Sequence, residues 1–112
     1  MKLKQTKQCK TCPWKLSATV ADIPNYTRDR HENLANTIAD ETGNLSEINQ
    51  PLRIMACHHS RDGNEYECVG WLYNQLRNGN HIPLRIQMMR CSNVSQIEVD
   101  GEQKNTFAET FR

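Results

Sequence analysis

The chain is short of most of what usually holds a small fold together. Its aromatic residues are two Trp, three Tyr and two Phe, and only 37% of its 112 residues are apolar. Burial alone therefore stabilises it less than usual, and a bound ion would be a natural part of its folding free energy. No stretch approaches the ~20 apolar residues of a membrane helix. The opening Met1-Lys2-Leu3-Lys4-Gln5-Thr6-Lys7 has no apolar segment behind its charges, which points to a cytoplasmic protein. The formal net charge of +1 exerts no global pull on nucleic acid. Repeats, low-complexity tracts, phosphate-binding glycine loops, a nucleophile elbow and a His-Glu-x-x-His pair are all missing, which removes the common enzyme signatures.

What the chain does have is cysteine. Five in a chain expected to sit in a reducing compartment, an odd number gathered around one Cys-x-x-Cys, read as metal ligands before disulfides. Cys9-Lys10-Thr11-Cys12 places two sulfurs within reach of one ion. Cys57, in Met55-Ala56-Cys57-His58-His59, and Cys68, in Cys68-Val69-Gly70-Trp71, are the expected second pair. Four thiolates close a tetrahedral sphere and leave no place for water, so such a Zn2+ is structural. With the thiols ionised and one Zn2+ bound, the formal charge becomes −1. Two alternatives stay open at this point: His58 or His59 in place of one thiol, and a [4Fe–4S] cluster on the same four cysteines. Pro13 and Trp14 follow the second thiol, one fixing the backbone and the other offering an apolar plate over the sulfurs. Gly70 allows a close approach, and Trp71 forms a second wall.

Residues 1 to 8 read as an exposed lead-in. Lys2, Lys4, Lys7, Lys10 and Lys15 precede any acidic residue, and are expected to be solvated and to lower nearby thiol pKa values; a phosphate-contacting patch is the sharper reading. Asp22-Ile23-Pro24-Asn25-Tyr26 is a turn. Thr27 then caps a helix over about 28 to 40 with His31, Leu34, Ala35 and Ile38 inward, His31 as a hydrogen-bonded structural residue. The polar stretch from Gly43 to Gln50 is a loop. Leu52 to Ala56 reads as a strand delivering Cys57. A helix over about 66 to 77 opens near Cys68, whose thiolate its N-terminus should favour, and buries Val69, Leu72, Tyr73 and Leu76. Asn78-Gly79-Asn80 turns into another over about 81 to 90, with Ile82, Ile86 and Met89 on one face. Cys91 is a buried, idle thiol. Gln96 to Val99 reads as a brief strand, Asp100-Gly101 as a turn, and Thr106 with Glu109 as a capping box for a last helical turn that Phe107 and Phe111 pin down.

Cys9-Lys10-Thr11-Cys12-Pro13-Trp14-Lys15, Asp22 to Tyr26, Met55-Ala56-Cys57-His58-His59-Ser60 and Cys68-Val69-Gly70-Trp71-Leu72 together resemble a family of small uncharacterised proteins encoded by phages and prophages. Its signature is Cys-x-x-Cys-Pro-Trp, Met-x-Cys-His and Cys-x-Gly-Trp, and the likeness covers roughly residues 8 to 90. The resemblance implies expression inside a bacterial host, a shared ligand set of Cys9, Cys12, Cys57 and Cys68, and an accessory role through binding a host protein or host nucleic acid.

The expectation is therefore an α-rich α+β fold, a single domain over residues 1–112, with about three helices and a few short strands. One zinc held by four cysteines clamps a core over about 8 to 90, and a C-terminal extension follows from 91 to 112. Its leading role is a phage-encoded accessory protein that binds and modulates a host protein, for example a defence or transcription component. A small nucleic-acid-binding zinc module is the alternative. A catalytic metalloprotein using Cys57, His58 and His59 with Asp62 and Glu65, or an iron–sulfur protein, comes third.

Overall fold

The computed structural model describes residues 2–23, 26–39, 52–60 and 63–111. Among them stand three α-helices: α1 (Arg28–Glu32), α2 (Val69–Leu76) and α3 (Ile82–Met88). Short 3-10 turns lie at Val20–Asp22, Asn33–Thr37, Val94–Gln96 and Ala108–Phe111. Extended pairing among the described residues includes the isolated bridges Lys7 with Glu98, Lys15 with Gln103 and Ala56 with Glu67. The strands expected at 52–56 and 96–99 thus shrink to single rungs. No helix of the described residues is long and apolar enough to cross a membrane. The expected turn at Pro24-Asn25 and the loop from Gly43 to Gln50 lie outside the described residues.

Thr27 caps α1 as expected, its hydroxyl accepting from the Arg30 N–H at 3.1 Å. The helix is shorter than the 28–40 span that its apolar spacing suggests, and gives way to the 3-10 turn Asn33–Thr37. Side chains engage the carbonyls at that turn: the Thr37 hydroxyl donates to Leu34 O at 2.7 Å, and Trp71 Nε1–H donates to Thr37 O at 3.0 Å. Ala35, expected inward, is exposed on the tightened turn, whereas Leu34 and Ile38 pack against the core.

The second helix matches its sequence reading most closely. Cys68 is its N-cap, Val69, Trp71 and Leu72 are buried, and Leu76 packs partly against the core. Tyr73 is only half-buried, with the Arg77 guanidinium over its ring at 4.5 Å. Asn80 adopts φ +50°, a left-handed conformation that asparagine tolerates, and this reverses the chain into α3. The His81 side chain then accepts from the Leu84 N–H at 3.2 Å as N-cap. The face of α3 differs from expectation. Leu84 and Met88 are buried, while Ile86 and Met89 are 49% and 84% exposed. Several apolar residues on a seven-residue helix satisfy more than one helical stripe, and docking on α2 selects the Leu84/Met88 one.

The N-terminal lead-in is also more fixed than its lysines suggest. Leu3 is buried, its N–H donating to Asn93 Oδ1 at 2.8 Å and its carbonyl accepting from Asn93 Nδ2 at 3.1 Å. Lys15 is nearly buried and pairs with Asp100 at 2.8 Å, while Lys2, Lys4, Lys7 and Lys10 are exposed as expected. The C-terminal stretch brackets the cysteine knuckle. Gln8 N donates to Glu98 O at 2.9 Å and Glu98 N to Thr6 O at 2.7 Å on one side; Leu16 N donates to Glu102 O at 2.9 Å and Lys104 N to Trp14 O at 2.8 Å on the other. Residues 9–12 therefore loop out between two anchored arms.

The core cluster joins Leu3, Cys12, Trp14, Met55, Cys68, Trp71, Leu72, Leu84, Met88 and Cys91. Beside it lies a polar chain through His31, which is fully buried. Tyr26 OH lies 2.6 Å from His31 Nδ1, His31 Nε2 lies 2.6 Å from Thr110 Oγ1, and the Thr110 hydroxyl donates to Phe107 O. Because Thr110 spends its proton on the carbonyl, the imidazole carries its proton on Nε2 and accepts from the phenol at Nδ1. His31 also stacks on Phe107 and meets Phe111 edge-on. The capping pair Thr106 and Glu109 forms as expected, Glu109 N donating to Thr106 Oγ1 at 3.3 Å.

Burial, aided by the charges of Lys104 and Arg28, holds the His31 pKa down at about 4, from 6.5. A histidine depressed in the folded state contributes stability that is complete above its unfolded pKa and is lost as protons bind the unfolded chain more readily than the folded one. The contribution therefore falls as pH drops from about 6.5 to about 4, by up to about 3 kcal/mol. Urea midpoints of the wild type and of His31→Gln, measured from pH 7.5 to pH 4, should converge as the pH falls. A difference that stays constant across that range would contradict the assignment of a neutral, proton-resistant His31.

Candidate metal centre

Two local structures carry the four N-terminal thiols. The knuckle closes when Cys12 N approaches Cys9 O at 3.4 Å, and Lys15 N then donates to Cys12 O at 3.1 Å. The second pair sits on a short antiparallel ladder, Cys57 N donating to Tyr66 O and Cys68 N to Met55 O, both at 2.8 Å. Cys57 and Cys68 are eleven positions apart in sequence and sit diagonally across this bridge, on the same face and on either side of the Ala56–Glu67 pair, where α2 begins.

The knuckle and the ladder bring all four sulfurs into one region. Cys12 Sγ and Cys68 Sγ are 3.6 Å apart, and the neighbouring Cys12 and Cys57 thiols raise the pKa of Cys9. All are free thiols, with Cys12, Cys57 and Cys68 buried and Cys9 half-buried. A disulfide would require about 2.05 Å between sulfurs. The edge of a tetrahedron of sulfurs around Zn2+, with Zn–S bonds of about 2.3 Å, is about 3.8 Å, and the Cys12–Cys68 separation is close to that edge. That spacing is seen for the Cys12–Cys68 pair, while the group whose ligand atoms all lie within 4.8 Å of one another is Cys9, His58 and His59 and not the four expected thiols.

Proton sharing among the sulfurs follows their contacts. Hydrogen bonds from Cys68 and Cys9, then from Trp14 N–H and Gln8, hold the Cys12 thiol well below its ordinary pKa despite its burial. Cys57 is held at about 6, chiefly by the Cys9 contact, with help from the His59 N–H and Gln5. Cys9 and Cys68, the donors in these contacts, are pushed up, as loss of their protons would set thiolate against thiolate. The expected preference for a thiolate at Cys68 on the helix N-terminus is overridden by its contact with Cys12 and by burial. The lysine run likewise contributes little, and the Cys12 shift comes from hydrogen bonds.

Trp14 and Trp71, expected as walls of the site, lie in the same core cluster as Cys12 and Cys68. Trp14 and Trp71 are fully buried, and Trp14 Nε1–H points at Met55 Sδ at 3.4 Å. Gly70 is the close-approach position: a Cβ there would lie 2.7 Å from Cys12 Sγ and 2.7 Å from Trp14 Cβ.

The histidines stand on the outer side. Thr11 Oγ1 lies 2.6 Å from His58 Nε2 and 3.1 Å from His59 Nε2, so one hydroxyl inside the knuckle holds both rings, whose centroids are 4.2 Å apart. Cys9, His58 and His59 form a group that could hold a metal ion, their ligand atoms all within 4.8 Å of one another. Burial lowers the His58 pKa, with the neighbouring His59 adding to the effect. Glu65, considered as a partner for these histidines, is exposed and accepts from the Gly63 N–H at 3.1 Å in its own turn; Asp62 lies outside the described residues. Cys91 stays apart, buried, with its thiol 3.3 Å from Asn93 Oδ1. Thr11, Gln5 and Gln8 were not singled out by sequence. Gln8 next to Cys9, and Thr11 between the thiols, are the only hints their positions offered.

Residues 4–109 match DUF6283, a family of unknown function, and the chain belongs to that family. No curated protein and no solved structure matches it.

Replacing Gly70 by Ala forces Cys12 and Trp14 apart, and should destabilise the fold by about 1–3 kcal/mol. The check is the denaturant midpoint of Gly70→Ala against the wild type; Gly70 lies in α2 without a positive φ, so a loss reports the contacts of the added Cβ and not backbone strain.

Proposed function

We propose that Cys9, Cys12, Cys57 and Cys68 hold one Zn2+ as a structural clamp, and that the clamped domain is a recognition module rather than an enzyme. The observation that carries the clamp is the meeting of one sulfur from the knuckle with one from the bridge, Cys12 and Cys68 at 3.6 Å. Four thiols would leave no open coordination position on that ion, and a closed site does no chemistry. The sizeable cleft of about 470 Å³ lined by Leu16, Tyr73, Asn74, Arg77, Lys104 and Glu109, among others, includes no cysteine or histidine, so it supplies no substrate pocket over the sulfurs.

The role that follows is that of a phage-encoded accessory protein which binds and modulates a protein of the bacterial host, such as a defence or transcription component. Support comes from the resemblance in the cysteine signature and from the outer face of α3. There Ile86 and Met89 are exposed between Arg85 and Arg90, a mixture of apolar and guanidinium groups suited to a protein surface. A nucleic-acid-binding zinc module is distinguished by salt: binding that collapses as salt rises reports phosphate contacts, and a flat response reports a protein interface. An iron–sulfur cluster in the same thiols would make the purified protein brown.

Metal content and thermal unfolding of single variants test the clamp. Cys12→Ser and Cys68→Ser should lose the ion and the cooperative transition together, because structural zinc supplies free energy comparable with the whole stability of a small domain, on the order of 10 kcal/mol. Cys91→Ser should keep both. Full metal retention in Cys12→Ser would remove the clamp. For the role, Ile86→Glu with Met89→Glu should retain metal and fold yet lose the host protein captured by the wild type and reconstituted with it from pure components. Capture unaffected by this pair would place the interface elsewhere.

A further inference from the structure

The clamp leaves three good ligands only partly used. Cys9 is half-buried, in contrast to Cys12, Cys57 and Cys68, and its outer side meets His58 and His59. Thr11 fixes the two imidazoles side by side, with His58 half-buried and His59 exposed. Among the described residues no carboxylate belongs to the group, so the ligand set is two imidazoles and one thiol. Two nitrogens and one sulfur form a borderline-soft set that favours Zn2+ or Co2+ over Mg2+ or Ca2+. A thiolate sulfur carries enough lone pairs to bond two cations at once, so Cys9 need not leave the buried set to serve the outer one.

We propose that Cys9, His58 and His59 form a second, solvent-facing seat for a Zn2+-class cation, sharing the Cys9 sulfur with the buried clamp and leaving its fourth position to water. This inference rests on the four-thiol reading for the inner ion. The seat has three protein ligands within 4.8 Å of one another, and a tetrahedral ion of ordinary bond lengths needs them about 3.3–3.6 Å apart, so closure by at most about 1.5 Å is the movement required. His59, on the exposed rim, is the ligand able to make that movement. The outer ion binds more weakly than the inner one, because it has one ligand fewer and faces water. It exchanges with solvent while the inner ion stays.

The test is titration of the metal-free full chain with Zn2+ alone against a chromophoric chelator, repeated with Co2+ to read ligand type from thiolate-to-cobalt charge-transfer bands. The wild type should take up two equivalents, the second at least about tenfold more weakly than the first. His59→Gln, an exposed substitution, should weaken the second step by about tenfold or more and leave the first, and its sulfur-rich cobalt spectrum, unchanged; His58→Asn should do the same. One equivalent in the wild type, a second step indifferent to both variants, or loss of the first ion in His59→Gln would each overturn the outer seat. The inner clamp fails on a separate arm, retention of the tight step in Cys68→Ser, so the two failures are told apart.

Discussion

Four sulfurs brought into contact inside a protein face a single constraint: they must share protons among themselves or share a cation. Without a cation, the arrangement balances on hydrogen bonds, with Cys12 and Cys57 as acceptors and Cys9 and Cys68 as donors. That balance is delicate for a thiolate as buried as Cys12, and amide donors from Trp14 and Gln8 are recruited to hold it. The rest of the architecture can be read as the means of enforcing the contact. The C-terminal arms bracket the knuckle, the Ala56–Glu67 bridge puts Cys57 and Cys68 on one face, and Gly70 removes a side chain that would keep the two halves apart.

The interior around this contact is unusually polar for its size. His31, Thr37, Asn74, Gln75, Asn93, Lys104 and Thr110 are buried, and each has defined partners. Gln75 takes the Ala39 N–H and donates to Asn74, Asn74 donates to Asn105 O, and Lys104 Nζ donates to Ala18 O at 2.7 Å. These contacts join segments distant in sequence where no sheet does so. Their net contribution is small per bond, about 1 kcal/mol, but leaving one unmade inside the protein costs more. They therefore select one arrangement without supplying much of the driving force, which is what a chain poor in apolar residues has to obtain from another source.

The parts legible in sequence are those governed by short-range chemistry. Thr27 as a cap, the Cys68 start of α2 with its Val69 and Leu72 face, His31 as a satisfied buried residue, the Thr106/Glu109 box and the close approach at Gly70 all depend on a few neighbouring residues. What was not legible depends on distant partners. Ile82, Ile86 and Met89 form an acceptable helical stripe, and only the position of α2 makes Leu84 and Met88 the buried pair. Leu3 looks solvated among lysines until Asn93, ninety residues on, takes both of its backbone groups. The rungs at Ala56 and Glu98 read as strands because apolar alternation records the partner on one side but not how far the pairing extends.

The same distinction bears on how the chain can vary. A cation held by knuckle and ladder would close a loop from Cys12 to Cys57, and the entropy of closing a flexible loop grows only with the logarithm of its length, about 0.6 kcal/mol per doubling. Changes in the polar stretch between 40 and 51 would therefore alter the closing cost little. Moving a ligand by one residue would instead turn a sulfur away from the others: at Cys57 because neighbouring side chains on an extended segment face opposite sides, and within Cys9 to Cys12 because the turn closes over that spacing. Under the proposed clamp, spacing inside each half is rigid and spacing between the halves is free. The placement of Thr11 within the knuckle extends that rule to the histidines, since its hydroxyl lies 2.6 Å from His58 Nε2 and 3.1 Å from His59 Nε2 and so ties their position to the same four-residue turn.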